Sequence, residues 1–247
     1  MGSVIQYYYT SHTGCIRKNN QDNFLVPEGY LPWDNQGTDG VRQGAVSVEN
    51  SPLFAVFDGM GGEERGEMAA AIAAETFSQA DLSGDPVQRL QETCLLANEN
   101  ICRFAGENGV ITMGTTAALL RFSPRDASLC NIGDSKVFVY SGGKFVQLSC
   151  DHLGVAAYGR KPPLSQNLGI PPEELIIDPF IAQGNYFPGD VFLLCTDGLT
   201  DMVPAERIEM ILAEPPEVAS RHLLQEALQN GGKDNVTFVL LSITDNK

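Results

Sequence analysis

Residues 53–62 read Leu53-Phe54-Ala55-Val56-Phe57-Asp58-Gly59-Met60-Gly61-Gly62. The apolar run at its start predicts a buried strand, because short apolar runs bounded by turn residues are typical of strands. An aspartate follows the run directly, beside a glycine that permits a tight turn. This order of apolar strand and aspartate recurs along the chain.

The recurrences bring further aspartates to predicted strand ends. They are Gly133-Asp134-Ser135, Thr196-Asp197-Gly198 and Lys233-Asp234-Asn235, and Asp22 follows Asn20-Gln21 near the start. Any one of these aspartates is more often a turn residue than a ligand. Together they predict carboxylates that converge at one rim of a sheet and repel one another unless a cation lies among them or some protonate. Oxygen ligands select hard ions such as Mg2+, Mn2+ or Ca2+. The three histidines show no metal-binding spacing, which argues against zinc.

The periodicity of the remaining sequence predicts an α+β protein. Strands are predicted at Leu53–Phe57, Thr115–Phe122, Ser128–Ile132, Lys136–Tyr140, Phe145–Leu148, Val191–Thr196 and Val236–Ile243. Helices are predicted at Glu64–Gln79, Pro86–Ala105, Pro204–Leu212 and Pro215–Asn230. Asp85 is the predicted cap of the second helix and Gly106 its predicted end. Because strands and helices do not alternate strictly, mostly antiparallel sheets with helices packed on them are favoured over a parallel sheet.

Composition excludes two classes of partner. The 31 acidic and 16 basic residues of this 247-residue chain give a formal net charge of -15, which repels nucleic-acid backbones and anionic membrane surfaces. Hydrophobic residues make up 43% of the chain and charged residues 19%, as in an ordinary globular protein. No segment resembles an interdomain linker, so we expect one domain over residues 1–247, with an irregular excursion at about 26–52.

The sequence favours a cytoplasmic protein. Its start has neither the basic segment nor the apolar run of a secretory signal, and no stretch reaches the ~18 apolar residues of a membrane span. The six cysteines include no CxxC pair, and Cys94, Cys130 and Cys195 lie in apolar runs. We therefore expect the cysteines to be small buried hydrophobic residues.

A nucleotide-binding loop is a competing interpretation of residues 53–62, because a strand, a glycine-rich loop and a predicted helix follow in order. Glu64 occupies the position of the third glycine of that motif, and acidic residues surround the loop where a pyrophosphate would bind. Both features argue against a nucleotide.

Six motifs, taken in order, resemble those of the metal-dependent PP2C (PPM) serine/threonine phosphatases of the bacterial type. They are Arg17-Lys18-Asn19-Asn20-Gln21-Asp22, Asp58-Gly59-Met60-Gly61-Gly62, Met113-Gly114-Thr115-Thr116-Ala117, Asn131-Ile132-Gly133-Asp134-Ser135-Lys136, Thr196-Asp197-Gly198-Leu199-Thr200-Asp201 and Lys233-Asp234-Asn235-Val236-Thr237. They extend over nearly the whole chain. Any one of them is a weak signal, but the ordered set is specific.

The resemblance implies a four-layer αββα sandwich of two mostly antiparallel sheets flanked by helices, with two metal ions at one edge. Asp58 would bridge both ions. Asp197 and Asp234 would hold the first ion, and Asp22 with the backbone carbonyl of Gly59 would hold the second. A glycine suits that position because its carbonyl must approach the ion closely.

The same resemblance implies the remaining site residues and the chemistry. Asp134 and Asp201 match positions that bind a third, looser ion in bacterial members, and Arg17 matches the residue that grips the substrate phosphate. Mg2+ or Mn2+ would be the cofactor. A hydroxide bridging the two ions would attack phosphorus, and no protein nucleophile would be required.

Three departures from the family pattern bear on the chemistry and on substrate selection. Met60 stands where eukaryotic relatives carry a histidine that is a candidate general acid. Lys136 replaces the usual arginine of its motif. The flap, at about 151–172, is shortened, and for its only basic residues, Arg160 and Lys161, exposed loop charges are favoured over substrate contact.

The sequence thus predicts an enzyme that hydrolyses phosphoserine and phosphothreonine in phosphoprotein substrates. Expected partners are those substrates, with a cognate serine/threonine kinase as a further candidate, and we expect a monomer. Two alternatives share the fold: a pseudophosphatase that binds without turnover, and a phosphatase of a small phosphorylated metabolite.

Overall fold

The computed structural model describes residues 2–60, 65–156 and 161–245. The strands are β1 (Ser3–His12), β2 (Asp22–Leu25), β3 (Arg42–Ser47), β4 (Leu53–Met60), β5 (Gly114–Thr115), β6 (Ala117–Phe122), β7 (Ala127–Ile132), β8 (Lys136–Ser141), β9 (Lys144–Gln147), β10 (Phe180–Gly184), β11 (Val191–Cys195) and β12 (Val236–Asp245). The helices are α1 (Gly66–Ser78), α2 (Pro86–Asn108), α3 (Asp197–Thr200), α4 (Ala205–Leu212) and α5 (Pro216–Gln229).

Antiparallel pairing joins these strands into two sheets. The first sheet has the order β3-β1-β12-β11-β8-β9, so that the last strand of the chain lies between β1 and β11. The second has the order β10-β7-β6-β4-β2, and β5 pairs with the end of β4. The site residues lie where the ends of β2 and β4 in one sheet approach the ends of β11 and β12 in the other.

Apolar side chains form three packed regions, one between the two sheets and one between each sheet and its pair of helices. Tyr7, Phe54, Phe122 and Phe192 pack between the sheets. The α1–α2 pair covers the outer face of the second sheet, and the α4–α5 pair covers the outer face of the first. The predicted four-layer α+β sandwich of antiparallel sheets is therefore confirmed.

Strand β4 is apolar from Leu53 to Phe57 because both of its faces are covered there. Phe54 and Val56 point into the layer between the sheets, whereas Ala55 and Phe57 pack against the helices. Alternate side chains of a strand point to opposite faces, so a strand buried on both sides needs an unbroken apolar run.

Helix α2 shows how closely local sequence sets its boundaries. Asp85 caps its start, where the carboxylate Oδ1 accepts a hydrogen bond of 2.8 Å from the Gln88 N–H. The predicted end at Gly106 is wrong: the helix continues to Asn108, and Gly109, with a φ of 67°, supplies the left-handed cap.

Four strands were not predicted from the sequence, namely β1, β2, β3 and β10. The first has three consecutive tyrosines between polar residues, β2 has only four residues, and β3 and β10 are edge strands with polar positions. The expected irregular excursion at 26–52 is wrong for residues 42–47, which form β3 and pair with β1. The predicted start of α1 at Glu64 lies outside the described residues.

Cysteine burial was predicted correctly for only part of the set. Cys94, Cys130 and Cys195 are buried, as expected. The expectation is wrong for Cys15 and Cys150, which are exposed, and Cys102 is partly exposed. All six carry free thiols. In the described part of the chain, no helix combines the length and the apolar character needed to cross a bilayer.

The packing between the sheets predicts a large cost for removing one ring. Phe54 is fully buried, and its ring centroid lies 5.2 Å from that of Tyr7. Phe54→Ala is expected to lower the free energy of unfolding by about 3–5 kcal/mol, because it removes apolar contacts and leaves a cavity. Urea denaturation measures this change. The matched control is Phe187→Ala at an exposed phenylalanine, expected to change stability by less than about 1 kcal/mol. Equal losses in the two variants would contradict the sandwich core.

Candidate metal centre

Strand register places two aspartates opposite each other. Asp22 opens β2 and Asp58 lies near the end of β4, and the antiparallel register pairs their Cα atoms. Directly opposed residues of an antiparallel pair point to the same face, where like charges are destabilising. The two carboxylates therefore form a repulsive pair unless a proton or a cation reduces their charge.

Three more aspartates reach the same edge from other strands. Asp134 follows β7, Asp197 begins α3 directly after β11, and Asp234 precedes β12. They share a cleft of about 310 Å3 with Asp58. The predicted site residues that line this cleft are Arg17, Asp58, Gly59, Asp134, Asp197 and Asp234.

Two predicted site residues lie outside the lining of the cleft. Asp22 is buried, and its Oδ2 accepts a hydrogen bond of 2.8 Å from the hydroxyl of Thr196. Asp201 lies at the end of α3 with its side chain 54% exposed, so it stands at the rim. The structure thus gathers six of the predicted residues in one cleft, with Asp22 buried nearby and Asp201 at the edge.

Hydroxyl groups hold the backbone of Asp58. Its N–H donates to Thr116 Oγ1 at 3.1 Å, and its carbonyl accepts from the Thr116 N–H at 2.9 Å. The Thr116 hydroxyl in turn lies 2.6 Å from the hydroxyl of Ser135, beside Asp134. The two carboxylate positions are therefore linked through buried hydroxyls.

Asn235 ties the N-terminal loop to the edge of the first sheet, a role that sequence reasoning did not assign. Its Oδ1 accepts from the Gln21 N–H at 2.8 Å, and its Nδ2 donates to the carbonyls of Thr13 and Asn19. The Gln21 carbonyl accepts from the Gly59 N–H at 3.1 Å. The neighbouring motifs contained this asparagine, but its partners lie more than 200 positions away in sequence.

Close backbone contact explains the glycine at position 59. A Cβ there would lie 2.3 Å from the carbonyl oxygens of Gln21 and Gly66. No side chain fits at that distance, so the glycine is required by packing, independently of any part that its carbonyl plays in binding an ion.

Burial and mutual repulsion raise the pKa values of the clustered carboxyl groups. Burial raises the pKa of Asp22 to about 7, and the charges of Asp197 and Asp234 add to this effect. Burial, followed by the charges of Asp22 and the other site carboxylates, raises the pKa of Asp58 well above its usual value. The pKa of Asp134 is raised by burial and by Asp197, although Lys161 and Lys136 oppose the shift. The basic groups of the protein therefore neutralise only part of the negative charge of this carboxylate cluster.

Two basic side chains contact the cluster. Arg17 donates to Asp234 Oδ2 at 2.6 Å. Lys161 forms ion pairs with Asp134, Asp197 and Asp201 while its side chain stays 50% exposed, so the expected exposed loop charge is also paired with carboxylates of the cluster. Arg160, its neighbour in the flap, lies outside the described residues.

The two other departures from the family pattern are also near the cleft. Met60 lines it, where its thioether offers no proton to donate. Lys136 forms an ion pair with Asp151, and its Nζ donates to the Asp134 carbonyl at 3.1 Å. The lysine therefore positions the backbone that carries a predicted ligand.

The chemistry of this donor set fits hard divalent ions. The side chains of the cluster offer mainly oxygen donors. A cation stabilises the ionised form of a carboxylate most where burial and repulsion have raised its pKa. Within residues 2–60, 65–156 and 161–245, no group of three or more Asp, Glu, His or Cys side chains is already arranged so that it could hold a metal ion. Binding of an ion would thus involve side-chain rotation and release of contacts such as Arg17–Asp234.

Comparisons with known proteins all match this chain to protein phosphatases. A family model described as protein phosphatase 2C matches residues 38–231. The chain is 29% identical over 258 residues to the serine/threonine protein phosphatase PstP of Mycobacterium tuberculosis, covering 98% of this chain and 46% of the relative. It is 27% identical over 242 residues to the serine/threonine phosphatase stp of Listeria monocytogenes, covering 88% of this chain and 94% of the relative.

A solved structure gives the same match in three dimensions. The catalytic domain of the serine/threonine protein phosphatase PstP, in complex with two manganese ions, superposes with a TM-score of 0.75 at 28% identity, covering 98% of this chain and all of that domain. The chain spans about half the length of the mycobacterial relative, whereas it spans nearly all of the Listeria protein.

The raised pKa values predict that the metal-free protein loses stability as pH rises. Asp22 and Asp58 hold protons in the folded state over a range in which the unfolded chain, with pKa values near 3.8, has released them. The free energy of unfolding should therefore fall between about pH 4 and about pH 7, by roughly 1 kcal/mol per pH unit on account of Asp22, and Asp58 adds a further fall in the same direction. Urea denaturation in EDTA at several pH values measures this slope.

Asp22→Asn is the control for this prediction. It removes one titrating group and the repulsion that this group exerts on Asp58, so its stability should depend less on pH. Stability of the unsubstituted protein that rises over the same pH range contradicts the prediction.

Proposed function

The chain belongs to the protein phosphatase 2C family, and on this premise we propose that it hydrolyses phosphoserine and phosphothreonine in protein substrates with the help of divalent metal ions. The observation that carries the proposal is the cleft in which Asp58, Asp134, Asp197 and Asp234 lie beside a guanidinium group. Such a cleft joins ligands for cations to a group suited to phosphate.

We propose Mg2+ or Mn2+ as the ion and two ions as the core of the site. Asp58 would contact both, Asp197 and Asp234 would hold one, and Asp22 with the Gly59 carbonyl would hold the other. The position of Asp58 opposite Asp22, and beside the cleft-lining Asp197 and Asp234, supports this division.

The protein residues perform three tasks in this reaction. Arg17 binds the phosphate, because its planar guanidinium carries five N–H donors and can contact phosphate oxygens once its contact with Asp234 is released. The aspartates orient the ions, and the buried hydroxyl of Thr116 holds Asp58 in place. When bound, the divalent ions supply a water of lowered pKa and positive charge beside the phosphate. Met60 has no proton that it could donate to the leaving oxygen.

Free thiols and the nature of the substrate support further parts of the proposal. All six cysteines are unpaired, as in proteins of a reducing compartment, which supports a cytoplasmic location. Phosphoproteins are the proposed substrates, and a serine/threonine kinase that produces them is the proposed partner enzyme. We propose a monomer as the active form.

Loss of one carboxylate tests the metal-dependent reaction. Asp58→Asn is expected to lower the release of phosphate from a phosphothreonine peptide in Mn2+ by more than ~100-fold, because even groups that only support metal ligands typically contribute 10–100-fold. EDTA should abolish the activity of the unsubstituted protein. Asp34→Asn, at an exposed loop aspartate, is the matched control and should retain full activity.

The outcomes of this assay separate the alternatives. Activity that survives Asp58→Asn contradicts the proposed site. Binding of Mn2+ without hydrolysis of any phosphopeptide favours a pseudophosphatase. Faster hydrolysis of small phosphorylated metabolites than of phosphopeptides favours the metabolite phosphatase.

Arg17 is predicted to act on substrate binding through its planar geometry. Arg17→Ala should raise KM for a phosphopeptide by about 10–100-fold, the value of a charge-assisted hydrogen bond of roughly 1.5–3 kcal/mol. Arg17→Lys should recover only part of this loss, since a lysine cannot make the bidentate contact. Steady-state kinetics with saturating Mn2+ measure both variants. An unchanged KM in Arg17→Ala contradicts the role in phosphate binding.

A further inference from the structure

The ammonium group of Lys161 lies among three carboxylates at the rim of the cleft. Its Nζ is 3.4 Å from Asp134 Oδ2 and 3.5 Å from Asp201 Oδ2, and it donates a shorter hydrogen bond to Asp197 Oδ2. An ammonium group has three N–H donors and no acceptor. Three surrounding carboxylates therefore match its bonding capacity.

The backbone around Lys161 is restrained, so the contact does not depend on the flexible side chain alone. Two prolines follow directly, Pro162 and Pro163, which fix their own φ angles and limit the conformation of the residue before them. The Pro163 carbonyl accepts from the Gly154 N–H at 2.8 Å, joining the two arms of the flap. The flap thus presents the lysine to the rim at a fixed place.

The charge of Lys161 is retained in this position. An ammonium group has an ordinary pKa of ~10.4, and the three carboxylates around it favour its charged form. The lysine remains a cation throughout the physiological pH range. A divalent ion entering between the same carboxylates would meet this positive charge at close range.

We propose that Lys161 is a built-in cation that takes the place of a third divalent ion between Asp134, Asp197 and Asp201, so that the chain binds two divalent ions and not three. The inference rests on the proposed function, because it presupposes the inner pair of ions. Its consequence is that the charge at the rim is partly neutralised at any metal concentration.

Counting bound ions tests this proposal without reference to activity. Equilibrium dialysis against Mn2+ should give two ions per chain for the unsubstituted protein. Lys161→Met removes the charge while keeping a long side chain, and should give three. The double variant Lys161→Met with Asp201→Asn should return to two, because it removes a ligand that the third ion needs.

Two further variants serve as controls. Lys161→Arg keeps a cation at the rim and should bind two ions. Lys144→Met, at an exposed lysine that begins β9, removes a charge elsewhere and should also bind two. Both Lys161 variants are substitutions at a half-exposed side chain, and circular dichroism checks that they fold.

The possible results separate this inference from the proposed function. Three ions in the unsubstituted protein, or two in Lys161→Met, overturn the built-in cation while leaving the two-ion phosphatase intact. No bound Mn2+ in the unsubstituted protein overturns both. Two ions that become three only when the charge of Lys161 is lost support the inference.

Discussion

The repulsion between Asp22 and Asp58 is the interaction around which the site is built. Strand register sets them opposite each other on one face of the β2–β4 pair, with Asp22 buried and Asp58 lining the cleft. Hydroxyls from Thr116 and Thr196 hold the backbone of one and the carboxylate of the other. A rigid sandwich can maintain such a pair because its apolar layers supply the stability that the pair removes. A bound cation removes this repulsion, so the free energy that the repulsion costs the metal-free protein favours binding of the cation.

The same concentration of charge shapes what can approach the cleft. A net charge of -15 opposes the approach of a phosphate monoester to most of the surface. Arg17 and Lys161 bring positive charge to the cleft itself, one beside Asp234 and the other at the rim. Because salt screens exposed charges over about 8–10 Å, this local arrangement matters more to a substrate than the total charge. An acidic protein can therefore still bind an anionic group at one place.

Sequence was most informative where one local pattern determines the structure. The apolar run of β4 and the capping residue of α2 depend on burial and on backbone geometry over a few residues, and both were predicted. Strand β1 was missed because its three consecutive tyrosines show no alternation of apolar and polar residues, and the strand pairs with β12, more than 200 residues away. The aspartates that line the cleft were singled out by their repetition after apolar strands. The contacts of Lys161 were not, because a lone loop lysine gives no signal until the flap folds over the rim.

Strand β12 has a consequence for the order of folding. It lies between β1 and β11, so the first sheet pairs the beginning of the chain with its end, and the adjoining Asp234 and Asn235 complete the cleft. Until this last strand is synthesised, β1 has only β3 as a neighbour in its sheet. Pairing over such long sequence separations makes folding slow. The cleft and the closure of the first sheet thus form in the same late event, and a chain interrupted before residue 234 exposes unpaired strand edges, which are prone to aggregation.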